Sequence, residues 1–183
     1  MRLDANEVFG ESGLTLEESQ KERKEYVKNI GVEYRYGCYE EKRADSCHLL
    51  GDFREAIELN FKSAFQLYKD NCENRRYPKS CLKYAKYLMA GRECEANFSK
   101  AIEPLNVACD AKDAEACKFL ALIYWNGDEQ REPDSKAAES ALRRIFKYGD
   151  GVPKDPDRSK EYYDKAKDIV NYLKDRTGTG FTA

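Results

Sequence analysis

Seven cysteines stand in this chain of 183 residues, and six of them form three pairs of nearly constant spacing. Cys38 and Cys47 enclose eight residues, Cys72 and Cys81 enclose eight, and Cys109 and Cys117 enclose seven. A helix-sized stretch separates successive pairs, so Cys47 to Cys72 and Cys81 to Cys109 each bracket one unit. The spacing reads as a repeated disulfide staple set at the joints of a stack of similar units. Unpaired buried thiols and redox chemistry are the other readings of these six cysteines, although redox work would want a Cys-x-x-Cys motif, which the chain lacks.

The period extends beyond the cysteines. Cys81 and Cys117, Ala85 and Ala121, Gly91 and Gly127, and Lys100-Ala101 and Lys136-Ala137 are all 36 residues apart, while Cys38 to Cys72 and Cys47 to Cys81 are 34. Repeats of this length build α-solenoids of helix pairs, in which each unit buries its apolar face only against its neighbours. Within a unit, Cys81, Tyr84, Ala85 and Leu88 recur at helical spacing and the run stops at Gly91. A second helix starts at the N-cap Asn97 and runs to Cys109, with Pro104 inside it predicting a kink. Small residues at Ala85, Ala101, Ala108, Ala121 and Ala137 let helices approach closely. From Gly127 to Gly149 there are 22 residues where 36 are expected, so Pro133 to Tyr148 should be one helix that closes one unit and opens the next. Ile145 stands where a fourth staple cysteine would fall. The expected architecture is all-α, a short right-handed α-solenoid of tetratricopeptide-like helix pairs clamped by disulfides. One helical-repeat domain should span residues 15–176, between flexible tails at 1–14 and 177–183.

Cys117-x-x-Leu120-Ala121-x-x-Tyr124-x-x-Gly127, and Gly149-Asp-Gly151-Val-Pro-Lys154-Asp155 followed by Glu161-Tyr-Tyr-Asp-Lys-Ala166, resemble the Sel-one-like repeat family over roughly residues 25 to 175. The cysteine pairs place the resemblance in its cysteine-rich branch, to which the label "beta-lactamase-like" has attached. That branch includes bacterial cysteine-rich proteins and a mitochondrial intermembrane-space factor for cytochrome c oxidase assembly. Val32-Glu-Tyr-Arg-Tyr-Gly-Cys-Tyr-Glu-Glu-Lys and Asp70-Asn-Cys-Glu-Asn look like the mitochondrial member. The resemblance implies a non-enzymatic assembly factor of the intermembrane space, with respiratory-chain assembly proteins and the oxidative import machinery of that space as partners. A thiol-disulfide oxidoreductase or a haem or copper metallochaperone in the same process, and a cytosolic repeat adaptor, are the alternatives.

Charge and hydropathy narrow the classes. Thirty-two basic and 34 acidic groups give a net charge of -2, which offers no electrostatic footprint for nucleic acid. No apolar stretch approaches the ~20 residues of a membrane span. The N-terminus shows no signal-peptide core or Arg-rich transit pattern, so the expectation is a cytosolic start and no membrane insertion. Paired cysteines imply an oxidising destination, and oxidative trapping in the intermembrane space reconciles the two. Phe65, Tyr68 and Cys72 form the kind of apolar helical face with a cysteine that a trapping oxidoreductase would read, and equally the core side of a repeat helix. Glu17 to Lys24 reads as a solvated helix face behind a capping box of Thr15 and Glu18.

The remaining candidates are few. Cys94 is the seventh cysteine, in a loop by composition; Glu93 and Glu95 discourage its thiolate and Arg92 opposes them, so it is the candidate free or exchange thiol. His48, the only histidine, has no metal-site companions and reads as a surface or half-buried residue at the start of a helix, and the expectation is no metal and no cofactor. Haem or copper handling stays open because the resembled factor serves a haem-copper oxidase. Ser80-Cys-Leu-Lys83 spells the Ser-x-x-Lys of penicillin-recognising enzymes, but its companion motifs are missing and no enzyme is expected. Tyr84, Tyr87, Tyr124 and Trp125 are the aromatic anchors expected on a partner-binding groove.

Overall fold

The computed structural model describes residues 16–128 and 130–148. They form seven helices: α1 (Leu16–Tyr39), α2 (Ala44–Ala56), α3 (Phe61–Arg75), α4 (Pro78–Ala90), α5 (Phe98–Asp110), α6 (Ala114–Asn126) and α7 (Ser135–Tyr148). Each helix packs chiefly on the helices before and after it in sequence, as a solenoid requires.

Local chemistry sets most of the helix ends. Asn60, Asn97 and Asp113 accept backbone N–H bonds from Ser63, Lys100 and Ala116 at 3.0, 2.7 and 3.0 Å and so start α3, α5 and α6. Pro78 occupies the first turn of α4, where its missing N–H costs nothing. Gly91 and Gly127 end α4 and α6 at φ 64° and 66°, a region that favours residues without a Cβ. At Gly127 a Cβ would also meet the Arg131 carbonyl oxygen at 2.5 Å. Pro104 is buried inside α5, which continues through it. Residues 135–148 form the single helix expected of the shortened unit.

Two layers result. In the first, α2, α4 and α6 stand side by side: Lys83 of α4 reaches Glu55 of α2 at 2.8 Å, and Lys86 of α4 reaches Glu115 of α6 at 2.7 Å. In the second, Arg76 at the end of α3 pairs with Glu103 of α5 at 2.9 Å, and Arg144 of α7 reaches Asn106 of α5 at 3.4 Å and Asp110. Between the layers lies a continuous core that includes Ala64, Tyr68, Ala85, Leu88, Ala101, Leu105, Ala108, Leu120 and Ala141. A smaller cluster of Cys38, Cys47, Leu50 and Leu67 closes the α1 end.

Disulfides Cys38–Cys47, Cys72–Cys81 and Cys109–Cys117 join the end of one second-layer helix to the start of the next first-layer helix, with Cα separations of 4.4, 4.7 and 4.9 Å. All six cysteines are buried. The staples therefore sit at the joints between helix pairs, while the connections inside a pair, such as residues 91–97, carry none. Thr15 of the capping box, both tails, the run from Gly149 to Ala166 and the Ile145 side chain lie outside the described residues.

Candidate functional site

The residue before each staple cysteine sets the chemistry of its joint. At the first joint these are Gly37 and Ser46, at the second Asn71 and Ser80, and at the third Ala108 and Ala116. Only the second builds a buried polar network. The Asn71 amide donates to the Ala44 carbonyl and to Ser80 Oγ, both at 2.8 Å. Ser80 Oγ lies 3.1 Å from His48 Nδ1, and His48 Nε2 lies 3.5 Å from Asp52. The neutral tautomer that satisfies both neighbours carries its proton on Nε2 and accepts the Ser80 hydroxyl at Nδ1. Burial lowers the His48 pKa from its ordinary 6.5; Asp52 opposes this, while Lys83 and Lys79 reinforce it.

Above the network lies an ionic cluster. The Tyr68 hydroxyl donates to Asp52 at 2.6 Å, with Glu55 at 3.1 Å, and Lys83 lies 2.8 Å from Glu55 and 3.4 Å from Asp52. Burial and the Asp52 carboxylate push the Tyr68 pKa far up. Burial would raise that of Glu55, but its bond to Lys83 prevails and lowers it. The cluster has a triad's members in Ser80, His48 and Asp52, yet Ser80 is sealed from solvent and its oxygen is already engaged by Asn71. Lys83 turns to the carboxylates, so Ser80 and Lys83 form no Ser-x-x-Lys pair. Among the described residues no group of three His, Cys, Asp or Glu could hold a metal ion, and no helix is long and apolar enough to cross a membrane.

Sequence reasoning placed His48 as a surface or half-buried residue and missed this network. The signal was available: Asn71 and Ser80 occupy the positions taken by Ala108 and Ala116 one unit later, so two polar residues stand together in an otherwise apolar layer.

Two of the four aromatics expected on a groove are core residues. Tyr84 and Tyr87 are 8% and 3% exposed, because their side of α4 faces the second layer, where both rings pack on Phe65. Tyr84 donates to Glu73 at 3.3 Å, and burial raises its pKa to about 12. Tyr124 and Trp125 are half-buried, and the Arg131 guanidinium lies 5.6 Å from the Tyr124 ring centre. Phe65, Tyr68 and Cys72 are likewise the core side of α3, the second of the two readings of that face.

The open surface lies on another side of α4 and α6. A groove of about 630 Å³ is lined by Lys86, Met89, Phe98, Phe119, Leu122 and Asn126, among others, with Leu122 55% and Phe98 44% exposed. It runs on, past Phe98 and Gly127, into a second hollow of about 380 Å³ bordered by Asn97, Asp128 and Gln130. The missed signal was α6 itself, whose sequence is apolar on both sides, whereas a helix buried on one face alone shows one apolar stripe.

Cys94 is half-buried in the loop after α4, with Sγ 3.6 Å from the Tyr87 carbonyl. Burial raises its pKa; Lys100 opposes and Glu93 reinforces. The counteracting cation is thus Lys100 and not Arg92, whose guanidinium stacks 4.1 Å from the Phe61 ring centre.

Helix pairs stapled at their joints, with an open apolar groove on one layer, define a disulfide-clamped α-solenoid. Three matches to the Sel1 repeat, at residues 78–112, 114–143 and 140–168, fall on the helix pairs α4–α5 and α6–α7 and then reuse the end of α7. The chain is a Sel1-repeat protein. It is 40% identical over 114 residues to a Drosophila melanogaster protein named cytochrome c oxidase assembly factor 7 homolog, a match covering 61% of this chain and 43% of that relative, less than half its length. A Xenopus tropicalis protein named cytochrome c oxidase assembly factor 7 is 27% identical, covering 91% of this chain and 96% of the relative. The human protein of that name is 30% identical over 139 residues, covering 73% and 60%. A crystal structure of a Sel1 repeat protein from Oxalobacter formigenes superposes with a TM-score of 0.53 at 17% identity, covering 84% of this chain and 69% of that one, a likeness of fold.

Proposed function

We propose that the chain is a non-enzymatic factor of the mitochondrial intermembrane space that supports cytochrome c oxidase assembly by holding partner proteins on its α4–α6 face. One observation carries the reading: three buried staples at repeat joints, in a chain whose relatives are named for that assembly. Buried disulfides at every stapled joint favour a compartment that oxidises thiols. The oxidative import machinery of that space would introduce them, and proteins of respiratory-chain assembly would be the clients. The reading assigns no cofactor to the chain. Burial of the six staple cysteines and the raised Cys94 pKa weigh against a thiol-exchange enzyme, whose nucleophile must be exposed and ionised.

The test is disulfide mapping by mass spectrometry of thiol-blocked protein from its native cells, with fractionation of their mitochondria and oxidase measurement after depletion. The reading expects three local pairs with Cys94 free, release when the outer membrane is ruptured, and a fall in assembled oxidase. Seven free thiols in a cytosolic fraction would replace it with the adaptor reading.

A further inference from the structure

The repeat supplies its own template for what the groove takes. Asn60-Phe61 and Asn97-Phe98 are equivalent, each an N-cap followed by the first residue of a second-layer helix. Gly91-Arg92 and Gly127-Asp128 are equivalent too, each a C-cap glycine followed by one charged residue. In the earlier unit Arg92 covers Phe61, its guanidinium 4.1 Å from the ring centre and 3.9 Å from Glu55. One unit later the cation is replaced by a carboxylate. Asp128 borders the hollow that Phe98 also lines, and Phe98 stays 44% exposed. Asp128 accepts the Ser99 hydroxyl at Oδ2 at 2.8 Å and the Gln130 N–H at Oδ1 at 2.9 Å, which holds the carboxylate at the border of that hollow. An exposed aromatic ring and a held carboxylate lining one hollow are the pair of groups that Arg92 satisfies within the chain, where Phe61 and Glu55 play these parts.

We infer that the α4–α6 groove binds a protein segment that lays apolar side chains between Met89, Phe119 and Leu122 and inserts an arginine or lysine over Phe98 against Asp128. This deepens the partner-holding reading and rests on it. The partner brings the cation that the chain supplies to itself one unit earlier. Both attractions act at one place: the ring quadrupole and the carboxylate select a cation, and the apolar trough sets the residues that flank it.

The experiment pans a phage-displayed library of random twelve-residue peptides on the oxidised full chain, then measures the enriched peptides by fluorescence anisotropy. The expected result is a basic residue flanked by apolar ones, with binding about tenfold weaker when Phe98→Ala removes the ring or when the peptide's basic residue becomes glutamine. Asp128→Arg, which removes the carboxylate and places a cation where Arg92 stands one unit earlier, should block binding, and Leu122→Glu should abolish it. Folding of each variant is checked by helical circular dichroism and by a single titratable thiol. Enrichment of peptides without a basic residue, binding indifferent to Phe98→Ala and Asp128→Arg, or no enrichment would overturn the inference. So would a self-associated chain, seen by sedimentation, that Leu122→Glu returns to monomer. Oxidase level after depletion is read separately: if it stays normal while the peptides bind as expected, the assembly reading fails and the cation site stands.

Discussion

Two successive notches between first-layer helices, built from equivalent positions, have opposite chemistry. Between α2 and α4 the residues are Asp52, Glu55 and Lys83; between α4 and α6 they are Lys86, Met89 and Phe119. The first notch is bridged by the chain's own ion pairs over Tyr68. The second keeps one pair at its edge, Lys86–Glu115, and otherwise stays apolar and open. A single backbone geometry thus serves as a sealed joint in one unit and as a binding surface in the next. Side chains alone decide which, because the stapled helix ends hold the frame in both.

The largest expected difference lies beneath the notches. Asn71→Ala removes two hydrogen bonds from a buried layer, to the Ala44 carbonyl and to Ser80, and should cost about 2 to 3 kcal/mol, whereas Ala108→Gly at the third joint should cost about 1 kcal/mol through helix propensity. Urea denaturation of the oxidised proteins measures both, and equal losses would deny that the joints differ. Next come the notches themselves. Lys83→Met takes away the cation that Asp52 and Glu55 share, leaving Glu55 only the longer Arg92 pair at 3.9 Å, and should cost about 1 to 2 kcal/mol, discounted for partial exposure. Lys86→Met should change stability by less than about 0.5 kcal/mol, since it removes a solvent-screened pair and a long contact of 5.9 Å with the Phe119 ring centre. A double-mutant cycle of Lys83 with Glu55 should show coupling that Lys86 with Glu115 lacks.

A smaller effect is set by pH. The folded state holds His48 neutral with its pKa below 6.5, so the unfolded chain binds the extra proton first and stability falls as pH drops from 6.5 toward the folded value. His48→Gln should flatten that slope in melts across pH 7 to 5. The smallest effect is at Cys94: Cys94→Ser should leave stability within about 0.5 kcal/mol, and the wild-type thiol should react more slowly with iodoacetamide at neutral pH than an unstructured cysteine does.

Much of the scaffold was legible because its determinants are local. Asn97 as a cap, Gly91 as a stop, the single helix over 135–148 and the three staples all follow from spacings within one or two turns. The groove was less legible. A tyrosine at helical spacing reads the same whether its side of the helix meets the second layer or open solvent, and the sequence does not say which way α4 is rolled. Tyr84 and Tyr87 therefore looked like anchors, while Phe98 and Leu122 went unremarked. The polar network was legible only in part: Asn71 and Ser80 stand out against Ala108 and Ala116 one unit later, but His48 lies on a third helix and only the fold makes it their neighbour.

The staples carry a further consequence for how the molecule is made. Each links cysteines only 8 or 9 residues apart, closer in sequence than either is to a cysteine of another staple. Of the roughly 15 ways to pair six cysteines, the native one has the shortest loops throughout, so random encounter already favours it. A newly oxidised chain can close each joint on its own and in any order, and the one spare thiol, Cys94, lies farther along the chain from any staple cysteine than that cysteine's native partner does.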